Sequence, residues 1–140
     1  MDLGIRFTLL WSDPDVLKIR VSAWNGMFGG VADVYEGVRE MTRAAEKIRG
    51  FPLTTSDVRA LEFGAFGPKT AGGGVKMDLS CTDSVGHAIV DLSLESDYWS
   101  GSAQSVHAKL HIEAAAVDEF VAELEKFGAA GVAALKATAS

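Results

Sequence analysis

The chain predicts an α+β fold: one curved, mostly antiparallel sheet of about seven strands, with two amphipathic helices packed on one face. Three observations predict it. Apolar and polar residues alternate along about seven segments, the pattern of a strand with one covered face and one wet face. Two other segments repeat their apolar residues at three- and four-residue steps, as a helix with a single buried stripe does. Turn formers separate consecutive strand segments closely, so sequence neighbours pair antiparallel.

Leu3, Ile5, Phe7, Leu9 and Trp11 form the first alternating run, broken by Ser12-Asp13-Pro14-Asp15. In the second, Leu17, Ile19, Val21 and Ala23 alternate with Lys18, Arg20 and Ser22. Asn25-Gly26 follows, a strong hairpin signal because both residues tolerate positive φ. A third strand is expected over Met27–Tyr35, with Phe28, Gly30, Ala32 and Val34 on one face. From about Glu36 the period changes. Val38, Met41, Ala45 and Ile48 share a helical face expected to be buried, and Gly50 then Pro52 end the helix.

Strands resume over Val58–Phe66, Val75–Cys81, His87–Glu95 and Val106–Glu113. A last hairpin centred near Ser100 sets Asp91 opposite Lys109 and His87 opposite Glu113. Val117, Phe120, Val121, Leu124 and Phe127 mark the second helix, ended near Gly128. Residues 129–140 are Ala-rich and weakly patterned, and are expected as an extra helical turn or a frayed tail. No linker and no repeat divides residues 1–140, which read as a single domain.

Apolar residues make up 48% of the chain, enough for a sizeable core. Met1-Asp2-Leu3-Gly4-Ile5-Arg6 shows no cationic segment leading into a long apolar one, so a secretory signal is not expected. No run approaches the ~18 apolar residues of a membrane span. The single cysteine, Cys81, has no internal disulfide partner and fits a reducing compartment, so the expected location is cytoplasmic. The net charge of −6 is uneven. Residues 1–70 hold nine basic and nine acidic residues, whereas residues 71–140 hold four and ten. Between Lys76 and Lys109 there is no Lys or Arg, while Asp78, Asp83, Asp91, Glu95 and Asp97 fall in that gap. Such a field repels nucleic acid and attracts a basic partner.

Catalytic and metal motifs fail on spacing. His107 and His111 are four residues apart on a strand, hence ~13 Å, too far to share a zinc ion. Asp91 and Glu95 are equally far apart, wider than the ~5–9.5 Å of glycosidic acid pairs. Cys81 shares the face of Val75, Met77 and Leu79 and reads as a small core residue. Gly64-Ala65-Phe66-Gly67-Pro68-Lys69-Thr70 departs from a phosphate loop because Pro68 stands where glycine must precede the lysine. Together with Gly72-Gly73-Gly74 it reads as a hairpin connection. No enzyme, metal or cofactor is expected. Asp97-Tyr98-Trp99, in the long connection Ser96–Gln104, has the composition of an interface anchor or of a cap on the sheet end.

Gly26-Met27-Phe28-Gly29-Gly30, continuing to Val34-Tyr35, leads into a helix ending Ile48-Arg49-Gly50-Phe51-Pro52. Near the other end, Val106–Glu113 runs through Ala114-Ala115-Ala116 into Val117-Asp118-Glu119-Phe120. These features resemble the WapI-type immunity proteins, bacterial cytosolic partners that neutralise toxins. The resemblance implies a protein that blocks a toxin by direct contact. Asp91, Glu95, Asp97, Tyr98 and Trp99 are the partner-binding candidates, facing a basic toxin domain. A small-ligand-binding domain and a homodimeric assembly subunit are the open alternatives. No nucleic acid or membrane partner is expected.

Overall fold

A computed structural model describes residues 2–68, 71–97 and 103–139. In chain order the elements are β1 (Gly4–Ser12), β2 (Val16–Trp24), β3 (Gly29–Gly37), α1 (Glu40–Ile48), β4 (Val58–Gly64), β5 (Gly74–Cys81), β6 (His87–Glu95), β7 (Ser105–Glu113), α2 (Ala115–Glu125), α3 (Phe127–Ala130) and β8 (Val132–Lys136). The strands form two antiparallel four-stranded sheets, β3-β2-β1-β8 and β4-β5-β6-β7. This corrects the expectation of a single seven-stranded sheet. Helices of nine and eleven residues span only ~14 and ~17 Å. A seven-stranded sheet is ~29 Å wide and would leave apolar surface wet on either side of them. Two sheets that meet along β3 solve this, with Phe7 of one packed on Phe63 of the other.

β3 crosses the second sheet and touches each of its strands, while α1 and α2 lie side by side, α1 against β4 and α2 against β8. The Phe7 ring from β1 meets Phe63 of β4 edge-on at 4.9 Å and Phe120 of α2 at 5.7 Å. One ring therefore joins both sheets and a helix. On α1 the buried stripe is Met41, Ala44, Ala45 and Ile48. Val38, expected in that stripe, is 41% exposed. The helix begins only at Glu40, and the Val38 N–H is spent on the Asp15 carbonyl at 3.2 Å. On α2 and α3, Phe120, Val121, Leu124 and Phe127 are all buried as expected.

Residues 129–140, expected as an extra helical turn or a frayed tail, supply the end of α3 and a strand, and the expected glycine-rich hairpin connection between β4 and β5 is built into the core. Val132–Lys136 is a strand, pairing Ile5 with Leu135 and Phe7 with Ala133. It follows Gly131, whose φ of 75° ends α3 and turns the chain back along β1. Gly72, Gly73 and Gly74 are buried in a seam between the sheets. The Gly73 N–H donates to the Asp33 carbonyl of β3 at 2.8 Å, and a Cβ there would lie 2.1 Å from the Glu95 carbonyl oxygen. No residue but glycine fits. On the same side, Glu36 of β3 accepts the Gly64 N–H at 2.5 Å.

The sheet edges are partly occupied. The Ala134 N–H of β8 donates to Glu123 of α2 at 2.9 Å. Along β7, the Asn25 side chain donates to the Lys109 carbonyl and the Thr138 N–H to the His111 carbonyl, at 2.9 and 2.8 Å. These contacts blunt the edges through which strand-to-strand pairing between copies would proceed. No helix among the described residues is long and apolar enough to cross a membrane.

Candidate functional site

Among the described residues no polar or charged side chain is buried. The two sheets present outer faces of opposite sign. The register of the first sheet turns Arg6, Lys18, Arg20 and Lys136 outward against Asp33. That of the second turns Glu62, Asp78, Asp91, Glu95 and Glu113 outward against Lys76 and Lys109. Part of the acidity of residues 71–140 therefore lies on the second sheet's outer face, as Asp78, Asp91, Glu95 and Glu113, and part on α2, as Asp118, Glu119, Glu123 and Glu125. Asp78 and Asp91 stand directly opposite each other, an arrangement that costs rather than contributes stability.

The candidate acids differ in what their carboxylates do. Asp91 pairs with Lys109 in register, as expected, and is hydrogen-bonded to His107 Nε2. Glu95 is engaged within the fold: its carboxylate accepts the Gly67 N–H at 2.8 Å and so fastens the connection after β4. Asp97 lies beyond the end of β6 and is half-buried. Tyr98 and Trp99 lie outside the described residues. The roots of their connection are closed by two bonds of 2.8 Å, Ser96 N–H to the Gln104 carbonyl and Gln104 N–H to Ser96 Oγ.

Sequence reasoning missed the apolar tip beside this face. Asn25 caps a tight turn, its Oδ1 accepting the N–H groups of Met27 and Phe28 at 2.8 and 2.7 Å. The turn delays β3 to Gly29 rather than Met27 and leaves Met27 73% and Phe28 57% exposed. Alternation places Phe28 on one face with Gly30, Ala32 and Val34, yet only Ala32 and Val34 of that set are buried. The available signal is Asn25, a side chain that holds the amides two and three residues on out of the ladder. Met27 and Phe28 share a surface hollow with His107, Lys109 and His111, three of the outward residues of β7. Past the tip, Gly30 and Val31 line a groove with Leu94, Val106 and the roots Ser96 and Gln104. The tip thus borders both the acidic face and the base of the aromatic connection.

His87, opposite Glu113 as expected, donates from Nδ1 to Asp83 Oδ2 at 2.5 Å, with Nε2 3.6 Å from Glu113. The hydrogen bond and charge of Asp83, then the charge of Glu113, raise its pKa. Cys81 is half-buried and packed against the core, its thiol directed to the Thr54 carbonyl at 3.8 Å. The histidine nearest Cys81 along the chain, His87, thus has both ring nitrogens facing carboxylates. No cluster of three or more His, Cys, Asp or Glu among the described residues is arranged to hold a metal ion. Compared with protein-family models, curated proteins and solved structures, the chain matches none.

Proposed function

We propose that this chain is a non-enzymatic binding protein that occludes a basic protein partner, acting as a bacterial immunity protein against a cognate toxin. One observation carries the reading: an uncovered sheet face bearing Glu62, Asp78, Asp91 and Glu113, with the exposed Met27–Phe28 tip at its border. Acids spread over an open face attract and orient a cationic surface. An exposed aromatic and a methionine at the rim supply the apolar anchor that holds it. The resemblance of Gly26–Tyr35 and Val106–Leu124 to WapI-type immunity proteins points the same way. Asp78 facing Asp91 fits a surface whose charges serve an external partner, since their mutual repulsion is relieved when a cation approaches.

Co-expression with a secreted toxin encoded beside its gene tests the proposal. The chain is expected to restore growth of a toxin-expressing host and to co-purify with the toxin domain. Phe28→Asp, at a position outside the core, should abolish both while leaving the melting temperature unchanged. Growth arrest that persists with the wild-type chain present at full level would contradict it.

A further inference from the structure

The cationic outer face of the first sheet has a hollow in it. Register places Ser22 on one side of Arg6 and Ala134 on the other, and Gly4 lies two residues back along β1. These are small side chains, and Gly4 is obligatory: a Cβ there would sit 2.2 Å from the Leu135 carbonyl oxygen. The result is a cleft of about 530 Å³ lined by Leu3, Gly4, Arg6, Ser22, Ala134 and Ala137. That volume falls within the ~300–1,000 Å³ of small-molecule sites. Leu3, Ala134 and Ala137 make much of the lining apolar, and Arg6 and Ser22 supply donors.

The Arg6 side chain has no hydrogen bond or ion pair among the described residues, unlike that of Arg20, which is held by both oxygens of Asp33 at 2.9 and 3.0 Å. Its planar fork of donors matches a carboxylate. Lys136, which also lines the cleft, is drawn to Glu119 at 3.2 Å and adds positive field rather than a free contact. Asp2 lines it as well. A second negative charge on the ligand would meet it, which disfavours phosphates and favours a monoanion.

We propose that this cleft binds a small monocarboxylate with an apolar body, Arg6 clasping the carboxylate, Ser22 donating a further hydrogen bond and the Leu3–Ala137 wall covering the body. The site is on the sheet opposite the acidic face and stands independently of the partner-binding reading.

Amide NMR on the full-length chain tests it, with benzoate and hexanoate as probes, benzamide as the neutral isostere and inorganic phosphate as the bare anion. Benzoate or hexanoate should produce saturable shifts centred on Arg6, Ser22 and Ala134, with benzamide and phosphate at least about tenfold weaker. Arg6→Gln should weaken carboxylate binding about tenfold or more. Ala134→Leu, which fills the hollow from an outward position, should abolish binding while the remaining amide spectrum keeps its dispersion. Equal shifts with benzamide would overturn the proposal by showing an apolar hollow without anion recognition. Tighter binding of phosphate, an Ala134→Leu variant that binds as wild type, or the lack of saturation with either carboxylate would overturn it as well.

Discussion

His87 lies between Asp83 and Glu113, and its elevated pKa has a defined sign in stability. A histidine whose pKa is raised on folding contributes fully below its ordinary value of 6.5, and the contribution is lost as pH rises through the folded pKa. Asp83, held below its ordinary 3.8 by the His87 hydrogen bond and the Val85 N–H, contributes above that value and fades as pH falls through its own folded pKa. The pair is therefore strongest between these limits. In an NMR titration the His87 midpoint should lie above 6.5 and return toward it in Asp83→Asn. Glu36 behaves oppositely to Asp83. Burial raises its pKa against the lowering effect of the Gly64 N–H, so its ionised form is held at a cost as pH rises through the folded value. Glu36→Gln keeps an acceptor for Gly64 without the charge. It should melt higher than wild type at pH 7, with the gain vanishing below the ordinary 4.5, and thermal unfolding at the two pH values checks this.

The elements differ in how openly the sequence declares them. Alternation identified the strands up to β7 because each has one dry and one wet face, and it paired Asp91 with Lys109 because a hairpin is a local event. It could not say which dry faces meet. The contact of Phe7 with Phe63 and Phe120 joins residues far apart in the chain, and no local pattern encodes it. β8 escaped for a different reason. Val132-Ala133-Ala134-Leu135-Lys136 alternates in burial but not in polarity, alanine is a poor strand former, and the pairing partner β1 is the first strand of the chain. Of the candidate site, the acidic outer face was legible from the lysine-free gap, whereas the Met27–Phe28 tip was hidden by the capping of Asn25. Both late elements are expected to matter for stability. Phe120→Ala should cost about 3–5 kcal/mol and Leu135→Ala about 2–5 kcal/mol. Denaturant unfolding measures both, and a Leu135→Ala midpoint equal to wild type would show that β8 is not docked on β1.

At the scale of the whole molecule, the first sheet faces outward with net positive charge and the second with net negative charge. A protein of net charge −6 so organised approaches a cationic partner with its second sheet forward. On the proposed reading, steering belongs to that broad field and retention to the apolar tip, and the two are separable in kinetics. Glu95 is a poor choice for testing the field, because its carboxylate is structural. Glu62, Asp78 and Asp91 are the better set. The most direct test is the association rate with the cognate partner, measured across ionic strength for wild type, for the triple variant Glu62→Lys, Asp78→Lys, Asp91→Lys, and for Phe28→Ala. The triple variant should associate at least about tenfold more slowly at low salt and converge on wild type as salt screens the field beyond ~8 Å. Phe28→Ala should instead raise the dissociation rate, corresponding to about 2 kcal/mol or more. A triple variant with the wild-type association rate and salt dependence would contradict the assignment of this face as the binding surface.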